Sequence, residues 1–299
     1  MKNINIFNSF TLKIIAMVTM AIDHLGLVFF NTWNTPELYY TCRYIGRIAM
    51  PLYCFMLVEA VIHTRNFKNY TAKLGVMAVL ISTFLALAEY VPDLGFSSYA
   101  GFGNIFLDLF LGSLMIYCLN HKNNWFKLFI IIPLGIGVFS FLAKGIEHSG
   151  SCPDCGALTT FLWYPKFLRL QYDWLSLGLM LGFYLAYKAT DLFYKIRKEE
   201  YNLPEEDDSS NEYRLIANGF AIGALVLFAA LYYAMKYIRG DFVWWDLNMQ
   251  LFMIVVAPLL FLYSGKRGYS STWFKWMEYL YYPVHILLIY GIYYLIYLL

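Results

Sequence analysis

The sequence predicts an all-α polytopic membrane protein of about nine transmembrane helices in one bundle. Three observations carry that expectation. The 299 residues are 60% hydrophobic and only 14% charged, whereas a soluble domain carries about 25% charged and 45–50% apolar residues, so the surplus apolar surface has to face lipid. Aromatic residues make up 20% of the chain, 27 of them Tyr and 8 Trp, and such rings favour the membrane–water interface. The apolar residues also fall into runs of about 20, the length an α-helix needs to cross the hydrocarbon core. The runs do not alternate, and a strand facing lipid would leave backbone groups unpaired, so helices are the fit. A net charge of +2 gives no electrostatic support for a nucleic-acid partner.

The expected spans are 10–31, 43–62, 72–91, 101–119, 126–144, 170–194, 214–237, 246–265 and 276–299. The first, LKIIAMVTMAIDHLGLVFF, is too long for a cleavable signal peptide and contains Lys13 and the Asp23–His24 pair, so it reads as a retained span. Breakers separate the runs: Pro36, Pro92 with Gly95, the stretch 149–156, Pro204, Gly240, and Gly265 with Gly268. Pro51, Pro133, Pro258 and Pro283 fall inside spans, where each removes a backbone donor and is expected to kink or unwind the helix. No internal repeat is evident, and residues 1–299 read as one domain.

Orientation follows from Lys and Arg. With the N-terminus inside, Lys2, Lys13, Arg65, Lys68, Lys73, Lys122, Lys127, Lys188, Lys195, Arg197, Lys198, Arg214, Lys266, Arg267 and Lys275 fall on the cytoplasmic side, 15 of 22. Positive-inside bias therefore predicts a cytoplasmic N-terminus and an external C-terminus. The polar stretch IRKEEYNLPEEDDSSNEYR becomes a cytoplasmic linker, and the CPDC of Cys152 and Cys155 an external loop, expected as a disulfide staple rather than a redox site. Cys42, Cys54 and Cys118 are expected to pack in or beside spans.

Asp23 and His24 are the most informative residues. An acid at the centre of a span costs roughly 3 kcal/mol to insert, so ionisable groups there are functional candidates. Arg43 and Arg47 are four apart and expected to share a helix face in the second span. His24 lies roughly 21 Å from the inner end of the first span at about 1.5 Å per residue, a depth similar to that of the arginines. Asp23 is the counter-charge for one of them. It does not orient His24, since neighbours on a helix point about 100° apart. The plain alternative is a structural Asp–Arg pair with His24 as a hydrogen-bonded core residue.

Further along, Glu59 reaches the inner interface near His63 and Arg65, and Arg65, Lys68 and Lys73 form a basic mouth with His63 and Asn66 beside it. Such a mouth arises from topology alone, or binds phosphates, with Arg as a planar fork and Lys as a point charge. Asn104 and Asp108 are four apart on the fourth span, Glu89 closes the third, Asp173 opens the sixth, and His285 follows Pro283 near mid-depth in the last. Neither His24 nor His285 has a second His or Cys at ligand spacing, so no metal site is expected.

These residues together resemble the TraX family of membrane proteins, named for the enzyme that acetylates the N-terminus of a conjugative pilin. The matching stretches are LKIIAMVTMAIDHLG at 12–26, RIAMPLYCFMLVEAVIHTRN at 47–66, NIFLDLFLGSL at 104–114, QYDW at 171–174 and YYPVH at 281–285. A more distant similarity runs to the broader transmembrane acyltransferases, whose sugar O-acyltransferase branch has a first span like LxxxAxxxxxxxH, here Leu12, Ala16 and His24. The resemblance implies the cytoplasmic (inner) membrane of a bacterium, acetyl-CoA or another acyl-CoA as donor bound from the cytoplasm, and His24 as the catalytic residue. Two positions depart from the pattern: Asp108 stands where a small neutral or hydroxyl residue is expected, and Ala60 where Gly is typical.

The function expected is therefore an acyltransferase, an acetyl-CoA-dependent N- or O-acetyltransferase, acting on an external acceptor that is a peptide N-terminus, a sugar or a lipid head group. His24 serves as base, because His is the side chain whose ordinary pKa suits proton transfer near neutrality, with carriage of the acyl group on His24 as the lesser alternative. Arg43, Arg47 and Asn104 steady the oxyanion or an anionic acceptor, with Asp23 as counter-charge. Arg65, Lys68 and Lys73 hold CoA phosphates, and His285 lines the conduit. The competing class is a proton-coupled transporter or flippase of a small anion, with Asp23–His24 as relay and the arginines as clamp. The lack of a visible repeat disfavours it.

Overall fold

The computed structural model describes residues 6–31, 33–90, 103–148, 164–201, 211–238 and 249–298. The Cys152–Cys155 loop, the acidic run 205–208, Pro92, Gly95, Pro204 and Gly240 lie outside the described residues, as does the side chain of Glu89. The regular elements described are helices, with two isolated bridges, Phe7 to Tyr263 and Asn104 to Leu170. This is an all-α polytopic membrane protein.

Among the described residues, six helices are long and apolar enough to cross a membrane: Ser9–Phe30, Pro36–His63, Phe67–Leu87, Asn124–Lys144, Asn211–Met235 and Thr272–Ile296. The expected count was nine. Ile105–Asn120 and Met249–Phe261 are apolar but shorter; a 16-residue helix reaches about 24 Å at 1.5 Å per residue, less than the roughly 30 Å hydrocarbon core. The helix Asp173–Tyr201 has 29 residues, but Lys188, Asp191, Lys195 and Arg197 load its second half with charge.

The chain divides into two compact units, Met1–Met56 with Gly182–Leu299, and Leu57–Leu181. In the first unit, α1 (Ser9–Leu25) starts at Asn8, whose side chain accepts from Thr11 N at 3.0 Å. Its first turn is tied to the segment before the last helix: Ser9 N donates to Lys266 O at 2.8 Å and Phe10 N to Arg267 O at 3.2 Å. Gly268, at φ +71°, makes that turn and lies against Asn8, so a side chain there would be strained and crowded. α1 continues into a π turn, Gly26–Phe30.

The terminal helix, Thr272–Leu298, runs parallel to α1. Lys13 pairs with Glu278 at 2.7 Å, Tyr281 Oη donates to Met17 O at 2.8 Å, His24 meets His285, and Val28 and Phe29 pack with Ile289. Residue numbers rise together along both helices. If both cross the bilayer, the chain crosses an odd number of times and its two ends lie on opposite sides.

Proline accounts for three interruptions. Pro51 has no N–H for the carbonyl of Arg47, four residues back, and its ring crowds that carbonyl. The helix accordingly breaks at Arg47–Ile48 into α2 (Pro36–Gly46) and α3 (Ala49–His63). The same displacement puts 3₁₀ turns at Leu128–Ile130 before Pro133 and at Phe252–Val256 before Pro258. Pro283 sits inside an uninterrupted helix.

In the second unit, α4 (Phe67–Tyr90) lies along α5 (Ile105–Asn120). Gly75 admits the ring of Phe110, and Thr71 and Ser113 hydrogen-bond at 3.2 Å between the two helices. α6 is a single turn, Asn124–Lys127, followed by α7 (Ile131–His148) and then α8 (Asp173–Tyr201).

Candidate active site

Along α1 the residues Leu12, Ala16, Thr19 and Asp23 are buried, at spacings of four, three and four that define one helix face. Asp23 therefore points into the protein, toward α2. Its Oδ2 accepts from Arg43 Nη1 at 2.6 Å. Two glycines allow this approach: Gly26 lies on the Cβ of Cys42, and Gly46 lies on the Asp23 side chain. Small residues on facing helices let backbones come close where no water drives association. The counter-charge expected for Asp23 is thus Arg43.

Arg47 behaves differently. Because the helix breaks there, Arg43 and Arg47 do not lie on one continuous helical face. Arg47 Nη2 donates to Met249 Sδ at 3.3 Å, and its Nε is buried with no hydrogen-bond partner. Arg43 Nε and Asp23 Oδ1 are likewise buried and without a hydrogen bond. The cluster thus holds one ion pair and several buried polar atoms that are not satisfied, an arrangement more common at functional sites than in packed cores.

His24 points about 100° away from Asp23, toward the terminal helix. Its Nδ1 lies 2.9 Å from Nε2 of His285 and 3.0 Å from Met20 O. His285 Nδ1 lies 2.6 Å from Tyr281 O. The Tyr281 ring stacks on His285, with centroids 4.7 Å apart, and the Tyr282 ring meets both imidazoles edge-on. Below the pair, Lys13 and Glu278 make the 2.7 Å ion pair. Sequence reasoning assigned Lys13 to topology and passed over Glu278 and Tyr281. A signal was available: Lys13 and His24 are eleven apart, Glu278 and His285 seven, and both spacings keep two side chains on one helix face.

Asn104 and Asp108 belong to the second unit, where their hydrogen bonds are made. Asn104 caps α5: its side-chain oxygen accepts from Phe106 N at 3.0 Å and Leu107 N at 3.2 Å. Its amide donates to Ala78 O at 2.7 Å and Ser82 Oγ at 3.0 Å. Both amide hydrogens are used in joining α4 to α5, which leaves none for an oxyanion. Asp108 is fully buried and accepts from Gln171 N at 2.7 Å, from Tyr172 N at 3.1 Å and from the Ser176 hydroxyl. That explains an acid at a position where a neutral residue was expected: it holds the segment entering α8. Asp173, at φ 52°, is bonded by Ser140 and pairs with Lys144 at 3.2 Å. Lys144 also donates to the carbonyls of Leu170 and Gln171. Ser140, Lys144 and Ser176 were not singled out in the sequence, since a lone Ser or Lys in an apolar run carries no spacing signal.

The basic mouth is at the α3–α4 turn. Glu59 and His63 are one helical turn apart, with Oε2 and Nε2 at 3.4 Å. Asn66 accepts from Asn69 N at 3.1 Å and so caps α4. Arg65, Asn66, Lys68 and Lys73 are exposed, and Arg65 and Lys68 have no ion-pair partner among the described residues. No group of three or more His, Cys, Asp or Glu among the described residues is arranged to hold a metal ion.

A probable fimbrial assembly protein FimC, serogroup H1, of Dichelobacter nodosus is 25% identical over 291 residues, 95% of this chain and 94% of its own length. An uncharacterized protein of Rickettsia prowazekii (strain Madrid E) is 28% identical over 186 residues, 60% of this chain and 57% of its own. No solved structure matches the chain. The family model described as TraX protein matches residues 9–198, a span that includes Asp23, His24, Arg43, Arg47, Asn104 and the basic mouth. With well over half its length inside that match, this chain belongs to the TraX family.

Proposed function

We propose that this protein is a membrane-embedded acyltransferase that moves an acyl group, acetyl first among them, from cytoplasmic acyl-CoA to an amine or hydroxyl on the external side of a bacterial inner membrane. The observation that carries this reading is His24: an imidazole within a span, held at Nδ1 by two partners, with no hydrogen bond to Nε2 among the described residues. A base held on one nitrogen and open at the other is the arrangement acyl transfer requires.

The steps follow. The acceptor's N–H or O–H gives its proton to His24 Nε2 as its lone pair attacks the thioester carbonyl carbon. The oxyanion that forms is steadied by guanidinium donors: Arg43 and Arg47 each keep a buried Nε without a hydrogen bond, and among the described residues Arg47 donates only to the Met249 sulfur. The C–S bond then breaks, and CoA leaves as a thiol with the proton from His24, so that an acylated acceptor and free CoA are the products. Arg65, Lys68 and Lys73 are the residues for the CoA phosphates, supported by their exposure at one helix turn. The Dichelobacter relative is named for fimbrial assembly, and the family for pilin acetylation. A pilin-like peptide with a free N-terminal amine is therefore the first acceptor to try.

The test is acceptor-dependent release of free CoA thiol from acetyl-CoA by protein purified into nanodiscs. His24→Ala is expected to stay folded and bind CoA while turnover falls by about 10²–10⁴-fold, the usual contribution of a general base. Retention of most turnover by His24→Ala would remove His24 from the mechanism. No CoA release with any amine or hydroxyl acceptor would return the transporter reading to first place.

A further inference from the structure

The hydrogen positions of the histidine pair follow from acceptor chemistry. Tyr281 O, 2.6 Å from His285 Nδ1, only accepts, so His285 Nδ1 carries the hydrogen. A neutral imidazole has one N–H, which leaves His285 Nε2 as an acceptor. His24 Nδ1 faces that lone pair at 2.9 Å, and the hydrogen between the two rings is therefore on His24. The second neighbour of His24 Nδ1, Met20 O at 3.0 Å, is also an acceptor and requires the same assignment. The chain of donation runs from His24 to His285 to Tyr281 O, and it ends with the His24 Nε2 lone pair free.

From this geometry we infer that His285 is a positioning residue for His24: it fixes the Nδ1–H tautomer and presents the Nε2 lone pair to the acceptor. It also takes a stronger, charge-assisted hydrogen bond from Nδ1–H once His24 is protonated. The inference rests on the reading of His24 as the base. A base oriented by a third group is a recurring requirement of acyl transfer, and the orienting group is often a carboxylate. Inside a span a lone carboxylate beside the imidazole adds a charge to be buried, whereas a second imidazole orients while neutral. The nearest acid in sequence, Asp23, is engaged by Arg43 from another face of α1. His285 is itself held rigidly: its Nδ1 is bonded to backbone, its ring is stacked on Tyr281, and Tyr281 Oη is anchored to Met17 O at 2.8 Å.

The experiment uses protein in nanodiscs with ¹⁵N-labelled histidine, the His24 ring signals being identified by their loss in His24→Gln. Wild-type His24 is expected as the Nδ1–H tautomer. His285→Leu removes the acceptor and should shift His24 toward the Nε2–H form. His285→Gln puts an amide oxygen near the old Nε2 position and should preserve Nδ1–H. In turnover, His285→Leu should lower kcat by about 10²-fold, the low end for a general base, with KM for acetyl-CoA little changed. His285→Gln should restore much of that loss.

A His24 tautomer unchanged in His285→Leu, or a Gln variant no better than Leu in tautomer and kcat, overturns the proposal. If the Leu variant does not fold, His285→Gln decides alone, and loss of Nδ1–H in it is fatal. The two readings fail separately. A wild-type tautomer that depends on His285 in a protein that never releases CoA sinks the acyltransferase and leaves the pair. Transfer with a tautomer indifferent to His285 sinks the pair and leaves the acyltransferase.

Discussion

Gly46 packs directly on the side chain of Asp23, so that a Cβ at position 46 would occupy space the carboxylate already fills. With Gly26 on Cys42, it sets the separation of α1 and α2 and brings Asp23 within 2.6 Å of Arg43. Gly46→Val should therefore force the helices apart and destabilise the protein by about 1–3 kcal/mol, the usual cost of overpacking. It would be read as a lower Tm in detergent. A Gly46→Val protein as heat-stable as wild type would disprove this contact.

The ion pair itself is expected to behave as a unit. Its side chains are 17% and 11% exposed, and breaking a buried pair by removing one partner costs about 3–5 kcal/mol, because it strands a charge. Asp23→Asn and Arg43→Gln should each lower Tm strongly, and the double variant by clearly less than the sum. Strict additivity in that cycle would mean that the two side chains are not coupled.

The basic mouth should separate binding from chemistry. Replacing Arg65 and Lys68 together by Gln is expected to raise KM for acyl-CoA several-fold with a smaller change in kcat, since phosphate contacts persist from ground state to transition state. Direct CoA titration checks this. Unchanged affinity would leave the patch as a topological signal alone.

Asp108 is expected to matter for stability. Asp108→Asn replaces one accepting oxygen by an NH2 and so turns a donor toward the backbone N–H of either Gln171 or Tyr172, each of which the carboxylate now receives on a separate oxygen. Leaving a buried donor unpaired costs about 1–3 kcal/mol. Thermal unfolding in detergent should register that loss, and an Asn variant of wild-type stability would contradict the network.

The parallel course of α1 and the terminal helix makes a prediction about topology. A reporter fused to the N-terminus and one fused to the C-terminus should lie on opposite sides of the membrane, with Lys and Arg bias placing the N-terminus inside. A fluorescent-protein fusion active at one end and an alkaline-phosphatase fusion active at the other would show it. Both ends on one side would mean an even number of crossings, incompatible with two parallel spanning helices.

Much of this protein is determined by sequence alone. Runs of apolar residues specify helices because lipid leaves backbone groups no other partner. Pro51, Pro133 and Pro258 mark breaks about one turn upstream because each removes a specific hydrogen bond. That Asp23 pairs with one of the two arginines was legible as well, since a buried acid needs a cation at matching depth, but the choice of Arg43 came from the packing of α1 on α2. What only the tertiary structure decided is which helices are neighbours. Nothing local in α1 says that its His24 face meets residue 285, 261 positions away, or that Asn104 spends both amide hydrogens on α4. Helix pairing rests on close-packed complementarity between distant segments, such as Gly46 on Asp23, and a one-dimensional hydrophobic pattern records only which face is buried, never against what.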